Sequence, residues 1–217
     1  MDALKEVIKH IHQRPGRPLV LLDAKRGDID KTATAYAYAS FESFGADCVT
    51  VNPYMGFDTI EPYLKHEGKG VFALCKTSNP GSNQLQTLHI GTTGQQLYEK
   101  VAEICLGANC EYSDRIGLVL GATDADAMRT IRSKFPSVWI LAPGVGAQGG
   151  DLVTALSNGL NKTTKSGILI AVSRQISKAA DPRKEAELLV NQTREYLSTL
   201  YSSQYVPCYC KSFTAHL

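Results

Sequence analysis

Six short apolar runs punctuate the chain: Leu19 to Asp23, Cys48 to Asn52, Gly70 to Cys75, Ile116 to Leu120, Val138 to Ala142 and Ile168 to Val172. Each is mostly Val, Ile and Leu with little polar alternation, the pattern of strands buried on both faces of a parallel sheet. The stretches between them carry helix signals. Asp30 stands where it would cap a helix over residues 31–44 that stops at Gly45. Thr123 with Asp126 resembles a capping box opening a helix over 124–134, which Pro136 ends. Asp181-Pro182 puts a cap before a proline at the first helical position and starts a helix toward Leu200. Residues 2–12 read as a crossover helix ahead of the first run. Strand and helix alternate throughout, which predicts an α/β fold with crossover helices on a parallel sheet.

Two segments break the rhythm. Thr77 to Thr93 is polar, rich in Gly, Asn and Ser, and longer than an ordinary strand-to-helix connection, so it reads as a lid or binding loop, or else as a tolerated insertion. Ser202 to Leu217 has no periodicity and reads as a tail or linker.

With 217 residues, 43% hydrophobic and 20% charged, the chain suits one sizeable globular domain. Its net charge of +2 and scattered Lys and Arg supply no basic stripe, so a nucleic-acid partner is not expected. No apolar run approaches the roughly 20 residues of a membrane span, and residues 1–9 are mixed and charged rather than signal-like. A cytoplasmic location is expected; the ending Thr214-Ala215-His216-Leu217 only distantly resembles a peroxisomal address, which leaves a peroxisome-like organelle open. Six cysteines without a framework fit a reducing compartment, and Cys208-Tyr209-Cys210 lacks the second ligand pair that a metal site needs. The five histidines form no ligand set, since His10 and His12 point apart on one helix and His66, His89 and His216 stand alone. No metal, no cofactor and no acyl-enzyme triad are expected.

The first run ends in alternating charge, Leu21-Leu22-Asp23-Ala24-Lys25-Arg26-Gly27-Asp28-Ile29. On a strand Asp23 and Lys25 share a face, and Gly27 permits a turn that would bring Asp28 back beside them. Such a cluster at a strand's carboxyl end is where an α/β barrel keeps its chemistry, although a surface ion pair has the same composition. After the fifth run comes Pro143-Gly144-Val145-Gly146-Ala147-Gln148-Gly149-Gly150-Asp151, whose glycines would expose backbone N–H groups as an anion cradle before a helix. After the sixth, Ser173-Arg174 offers a guanidinium that would grip a phosphate, or pair with an acidic neighbour. Barrels that bind phosphate commonly use the loops after strands seven and eight. Counting back from there makes the first run strand three of a TIM-type (β/α)8 barrel that lacks its first two strands.

On these residues, and on Thr-Val-Asn-Pro-Tyr-Met-Gly at 50–56 and Lys-Thr-Ser-Asn-Pro-Gly at 76–81, the chain resembles the orotidine 5′-phosphate decarboxylase family from residue 2 to about 200. It looks most like the branch with decarboxylase domains fused to orotate phosphoribosyltransferase. The resemblance implies a decarboxylase barrel over 1–201 followed by a tail at 202–217. It implies a cofactor-free homodimer that converts the nucleotide orotidine 5′-monophosphate to UMP and carbon dioxide. Lys25 would protonate C6, Asp23 would hold Lys25 and crowd the substrate carboxylate, and Asp28, Ile29 and Thr32 would reach into the neighbouring subunit's site. Ser78 would contact the pyrimidine, Gln148, Ser173 and Arg174 would hold the phosphate, and Pro143 and Gly149 would also bind substrate. In the family a further lysine on strand two and a ribose-binding aspartate on strand one complete the site; neither has a counterpart here, so low turnover and poor folding are expected of the chain alone. Two other readings share the motifs. One is a barrel fragment that binds nucleotide or a partner without catalysis, and the other is a magnesium-dependent sugar-phosphate lyase of the same barrel group.

Overall fold

A computed structural model of the chain describes residues 1–107, 111–146 and 148–201. Cys110, Ala147 and the expected tail at 202–217, with its cysteine pair and His216, lie outside the described residues. In chain order the elements are α1 (Asp2–His12), β1 (Leu21–Arg26), α2 (Asp30–Tyr38), β2 (Cys48–Val51), α3 (Glu61–Leu64), β3 (Gly70–Lys76), β4 (His89–Ile90), β5 (Gln95–Gln96), α4 (Leu97–Leu106), β6 (Ile116–Leu120), α5 (Ala125–Lys134), β7 (Ile140–Pro143), α6 (Leu152–Gly159), β8 (Ile168–Ala171), α7 (Arg174–Ser177) and α8 (Pro182–Tyr201). Six strands form one parallel sheet in the order β1-β2-β3-β6-β7-β8, so all six apolar runs are strands of it. The sheet is an open arc of a barrel: β1 and β8 are its two edges and pair with no strand on their outer sides among the described residues.

Alternation along the strands divides the core in two. Val49, Val51, Val71, Ala73, Ile116, Leu118, Leu120, Ile140 and Ala142 face the helices and form the large buried cluster with Ile60, Tyr63, Ala102, Met128, Ile131 and Leu156. Cys48, Phe72 and Val119 face the concave side, packed against Leu21, Leu74, Trp139 and Leu141. The mostly apolar strands are what a sheet covered on both faces requires.

Beneath the sheet two polar clusters fix the helices. Asp47, 4% exposed, accepts from His12 Nε2 at 2.7 Å, Arg17 Nη2 at 3.1 Å and the Val20 amide at 2.8 Å, which docks α1 and its following turn against β2. His12 is thus a hydrogen-bond partner of Asp47. Arg132 on α5, 7% exposed, donates five hydrogen bonds to the carbonyls of Pro136, Val138, Gly159 and Gly167, joining α5 and the end of α6 to the starts of β7 and β8.

Several boundaries differ from the sequence reading. The expected Asp30 cap is the first residue of α2 instead, with φ +48°, and Ile29 is the N-cap without a side-chain bond. The helix widens over Ala39–Ser43, where Phe44 N donates to Ala39 O and the Ser40 hydroxyl bonds the Tyr36 carbonyl, before Gly45 ends it. Asp124, not Thr123, caps α5, its Oδ1 accepting from the Ala127 amide at 3.0 Å. The Asp181 cap is present, accepting from the Lys184 amide at 3.0 Å. No helix among the described residues is long and apolar enough to cross a membrane.

Candidate active site at the carboxyl ends of the strands

β1 reaches the site through an irregularity. Leu22 pairs with Val49 and the next pair is Arg26 with Val51, so four steps along β1 face two along β2. Lys25 takes φ +46°, a left-handed conformation that costs a non-glycine residue roughly 1–2 kcal/mol. This bulge aims Asp23 and Lys25 at the same neighbour. Lys25 Nζ donates to Asp23 Oδ1 at 2.6 Å, and buried Thr50 holds both residues, its hydroxyl donating to the same Asp23 oxygen at 2.9 Å and accepting the Lys25 amide at 2.8 Å. Thr50 was not among the expected site residues; the signal was a lone hydroxyl inside the apolar run Cys-Val-Thr-Val. The pair is open to solvent, with side-chain exposures of 53% for Lys25 and 60% for Asp23.

The Gly27 turn does not bring Asp28 into this pair. The Asp28 carboxylate accepts the Ile29 amide at 2.9 Å and makes no ion pair among the described residues. Gly27 instead lies against Asn52, whose Cβ stands 3.1 Å from where a side chain would begin. Ile29 is 52% exposed, and it and Thr32 line an open groove of about 670 Å³ with Asp58, Glu61 and Lys65, a groove that Lys25 does not line.

On the other side of the arc, the expected lid at 77–93 is a folded unit. Residues 80–84 form a 3₁₀ turn, β4 and β5 pair as a hairpin, and Thr77 N donates to Gln86 Oε1 at 2.8 Å. Ser78 at its start donates to Gln148 Oε1 at 2.8 Å, joining the ends of β3 and β7. Gly121 at the end of β6 makes this possible: a side chain there would begin 2.9 Å from Ser78 Cα.

Part of the N–H cradle expected of the glycine loop is used inside the loop itself. Gly146 N donates to Gly150 O, Gly149 N to Gly146 O at 2.8 Å, and Gly150 N to Gly144 O, so three of its donors are spent inside the loop. Asp151 then caps α6 by accepting the Thr154 amide at 2.7 Å, bonds that hold its carboxyl below the usual carboxylate range and set a negative charge at that helix end. The glycines serve tightness: Gly144, Gly146 and Gly149 have φ of +100°, +74° and +86°. The Pro143 carbonyl ties the loop's base to the Ala122 amide at 2.8 Å. Arg174, the first residue of α7 directly after Ser173, is exposed and has no ion pair among the described residues, so the acidic-neighbour alternative is not realised.

The described geometry gives one sheet end with a carboxylate-held ammonium on β1, a hydroxyl-amide pair linking β3 to β7, and an unpaired guanidinium after β8. A family model described as the orotidine 5′-phosphate decarboxylase / HUMPS family matches residues 2–189. The chain belongs to that family. Curated relatives named orotidine 5′-phosphate decarboxylase include one from Aromatoleum aromaticum, 46% identical over 176 residues that make up 81% of this chain and 64% of the relative. Another, from Dechloromonas aromatica, is 48% identical over 81% of this chain and 63% of its own length. The chain thus spans a little under two thirds of these relatives. Among solved structures, Leishmania donovani OMP decarboxylase superposes with a TM-score of 0.81 at 44% identity, covering 90% of this chain and 74% of that one. Leishmania donovani UMP synthase gives 0.83 at 46% identity, covering 90% of this chain and 42% of that one. These likenesses identify the six-stranded arc as part of the family's (β/α) barrel.

Proposed function

We propose that the strand-end site decarboxylates orotidine 5′-monophosphate to UMP, as the names of the relatives imply. The observation that carries this reading is the Asp23-bound Lys25 ammonium on the same sheet end as the unpaired Arg174 guanidinium. Loss of carbon dioxide from the pyrimidine leaves electron density at C6, and a fixed ammonium there supplies both the opposing charge and the proton. Asp23 and Thr50 fix that ammonium from one side. Arg174 and the Gln148 amide hold the phosphate, and Ser78, bonded to Gln148, meets the base, so phosphate binding and base placement are mechanically joined. Binding energy from the remote phosphate then serves the reacting carbon.

The exposure of Lys25 and Asp23 sets a limit. A solvated ion pair contributes at most about 1 kcal/mol, and charge stabilisation is strong only where water is excluded. We therefore propose that full activity needs the site covered. Closing the barrel from six to the eight strands of this fold and apposing a second copy through Asp28, Ile29 and Thr32 would both do so. A fused orotate phosphoribosyltransferase domain is the further partner that the resemblance implies. The test is conversion of orotidine 5′-monophosphate by the chain and its Lys25→Ala variant. Slow turnover that disappears in the variant supports the reading, and turnover indifferent to the substitution overturns it. UMP binding with no turnover in either protein favours the second reading, a binding fragment, which the open ion pair specifically motivates.

A further inference from the structure

Lys76 is a buried cation that the proposed chemistry leaves unused. It is 3% exposed, its Nζ lies 2.9 Å from Ser82 Oγ and 3.4 Å from Asp124 Oδ2, and it is the last residue of β3, two before Ser78. Its orientation comes from a bulge. Leu74 pairs with Val119, which faces the concave side, but the next pair is Lys76 with Leu120, which faces the helices. The extra residue turns Lys76 away from the substrate side and under the Ser78 loop. There it meets the carboxylate whose other oxygen caps α5. The Lys76 carbonyl also accepts the Gly121 amide at 2.8 Å, and Gly121 is the residue on whose bare Cα Ser78 rests.

We propose that Lys76 is a positioning residue: through Ser82 and Asp124 it latches the 77–84 segment to the start of α5 and so sets Ser78 at the height where it meets the pyrimidine of a bound nucleotide. The inference rests on the proposed reading of Ser78 as the base contact. Side-chain charge would be wasted on a purely apolar filler, since burying an ammonium is unfavourable without partners. Here both partners belong to the two elements that frame Ser78. Arg174 lies three strands away across the sheet order and is outside the latch, so phosphate grip and base placement separate on substitution.

The experiment is a calorimetric comparison of UMP with ribose 5-phosphate, run on the full chain, Lys76→Met, Ser78→Ala and the double variant. The native chain should prefer UMP, and Lys76→Met should lose roughly tenfold of that preference, the scale of one lost hydrogen bond, while its affinity for ribose 5-phosphate holds. In the Ser78→Ala background Lys76→Met should cost nothing further, because both act through one contact. Asp124→Asn, which keeps a good helix cap, should reproduce the loss if Lys76→Met folds badly. Equal losses for both ligands, or additive effects of Lys76→Met and Ser78→Ala, overturn the latch. Failure of the native chain to distinguish the two ligands overturns the base-contact reading instead. The latch is then decided without ligand by amide hydrogen exchange: Lys76→Met must speed exchange in 77–86 and at the start of α5 and spare α8, and unchanged rates there refute it.

Discussion

Replacing Arg132 with Met removes the guanidinium beneath β7 and β8 while keeping most of its apolar stem. Its five hydrogen bonds are not equal in consequence. Gly167 O retains the Ile140 amide and Pro136 O retains the Asn161 side chain, whereas the described bonds leave Gly159 O and Val138 O without a replacement. Two buried carbonyls stripped of partners cost about 1–3 kcal/mol each. Against this stands the desolvation that the charge itself suffers, which pulls the guanidinium down to about 10 and which methionine avoids. The net expectation is a loss of about 3 kcal/mol, a large fraction of the 5–15 kcal/mol typical of a folded domain. In urea unfolding followed by circular dichroism this moves the midpoint down by about 1–2 M. Arg183→Met, which breaks only an exposed pair with Glu187 on α8, is the control and should leave the midpoint in place. A shift for Arg132→Met no larger than the control's would refute the claim that this side chain ties β7 and β8 together.

Two more predictions concern the foot of the sheet. Burial raises the Asp47 carboxyl, but the Val20 amide and the His12 and Arg17 side chains outweigh it and hold it below its ordinary 3.8. A depressed folded value contributes stability that is present above about pH 4 and lost as the pH falls through the folded value. Asp47→Asn should therefore destabilise the chain at neutral pH, and the gap to the native chain should close in acid; a gap independent of pH between 7 and 3, read by thermal unfolding, contradicts this. Burial, with the Asp47 charge beside it, pushes the Cys48 thiol up to about 12. It should resist iodoacetamide at pH 8 until urea is added, and native-state labelling of Cys48 at the rate of a free thiol, seen by mass spectrometry, would contradict its burial.

The strands were legible because each is a mostly apolar run, and a buried parallel strand leaves that mark regardless of its neighbours. Their ends were less so. β1 continues three residues past the end of its apolar run at Asp23, to Arg26, because Thr50 on the adjacent strand holds Asp23 and the Lys25 amide. Thr50 left only the faint signal of a lone hydroxyl in an apolar run, since its bonds to Asp23 and Lys25 exist only across the strand pair. The proposed site residues on opposite sides, Lys25 and Arg174, could be named from their places at strand ends. What could not be read was the state of the glycine loop: composition shows that it can expose N–H groups, but only the folded loop shows that it spends three of them on itself. Likewise the bulge before Lys76 reverses the side that simple alternation assigns to it, and no one-strand pattern reveals a bulge.

A crystal structure of the chain with UMP bound tests most directly whether one nucleotide spans this sheet end. The phosphate oxygens should lie within about 3 Å of the Arg174 guanidinium, with the pyrimidine C6 turned toward Lys25 Nζ. A phosphate seated away from Arg174, or a base with C6 facing away from Lys25, would contradict it.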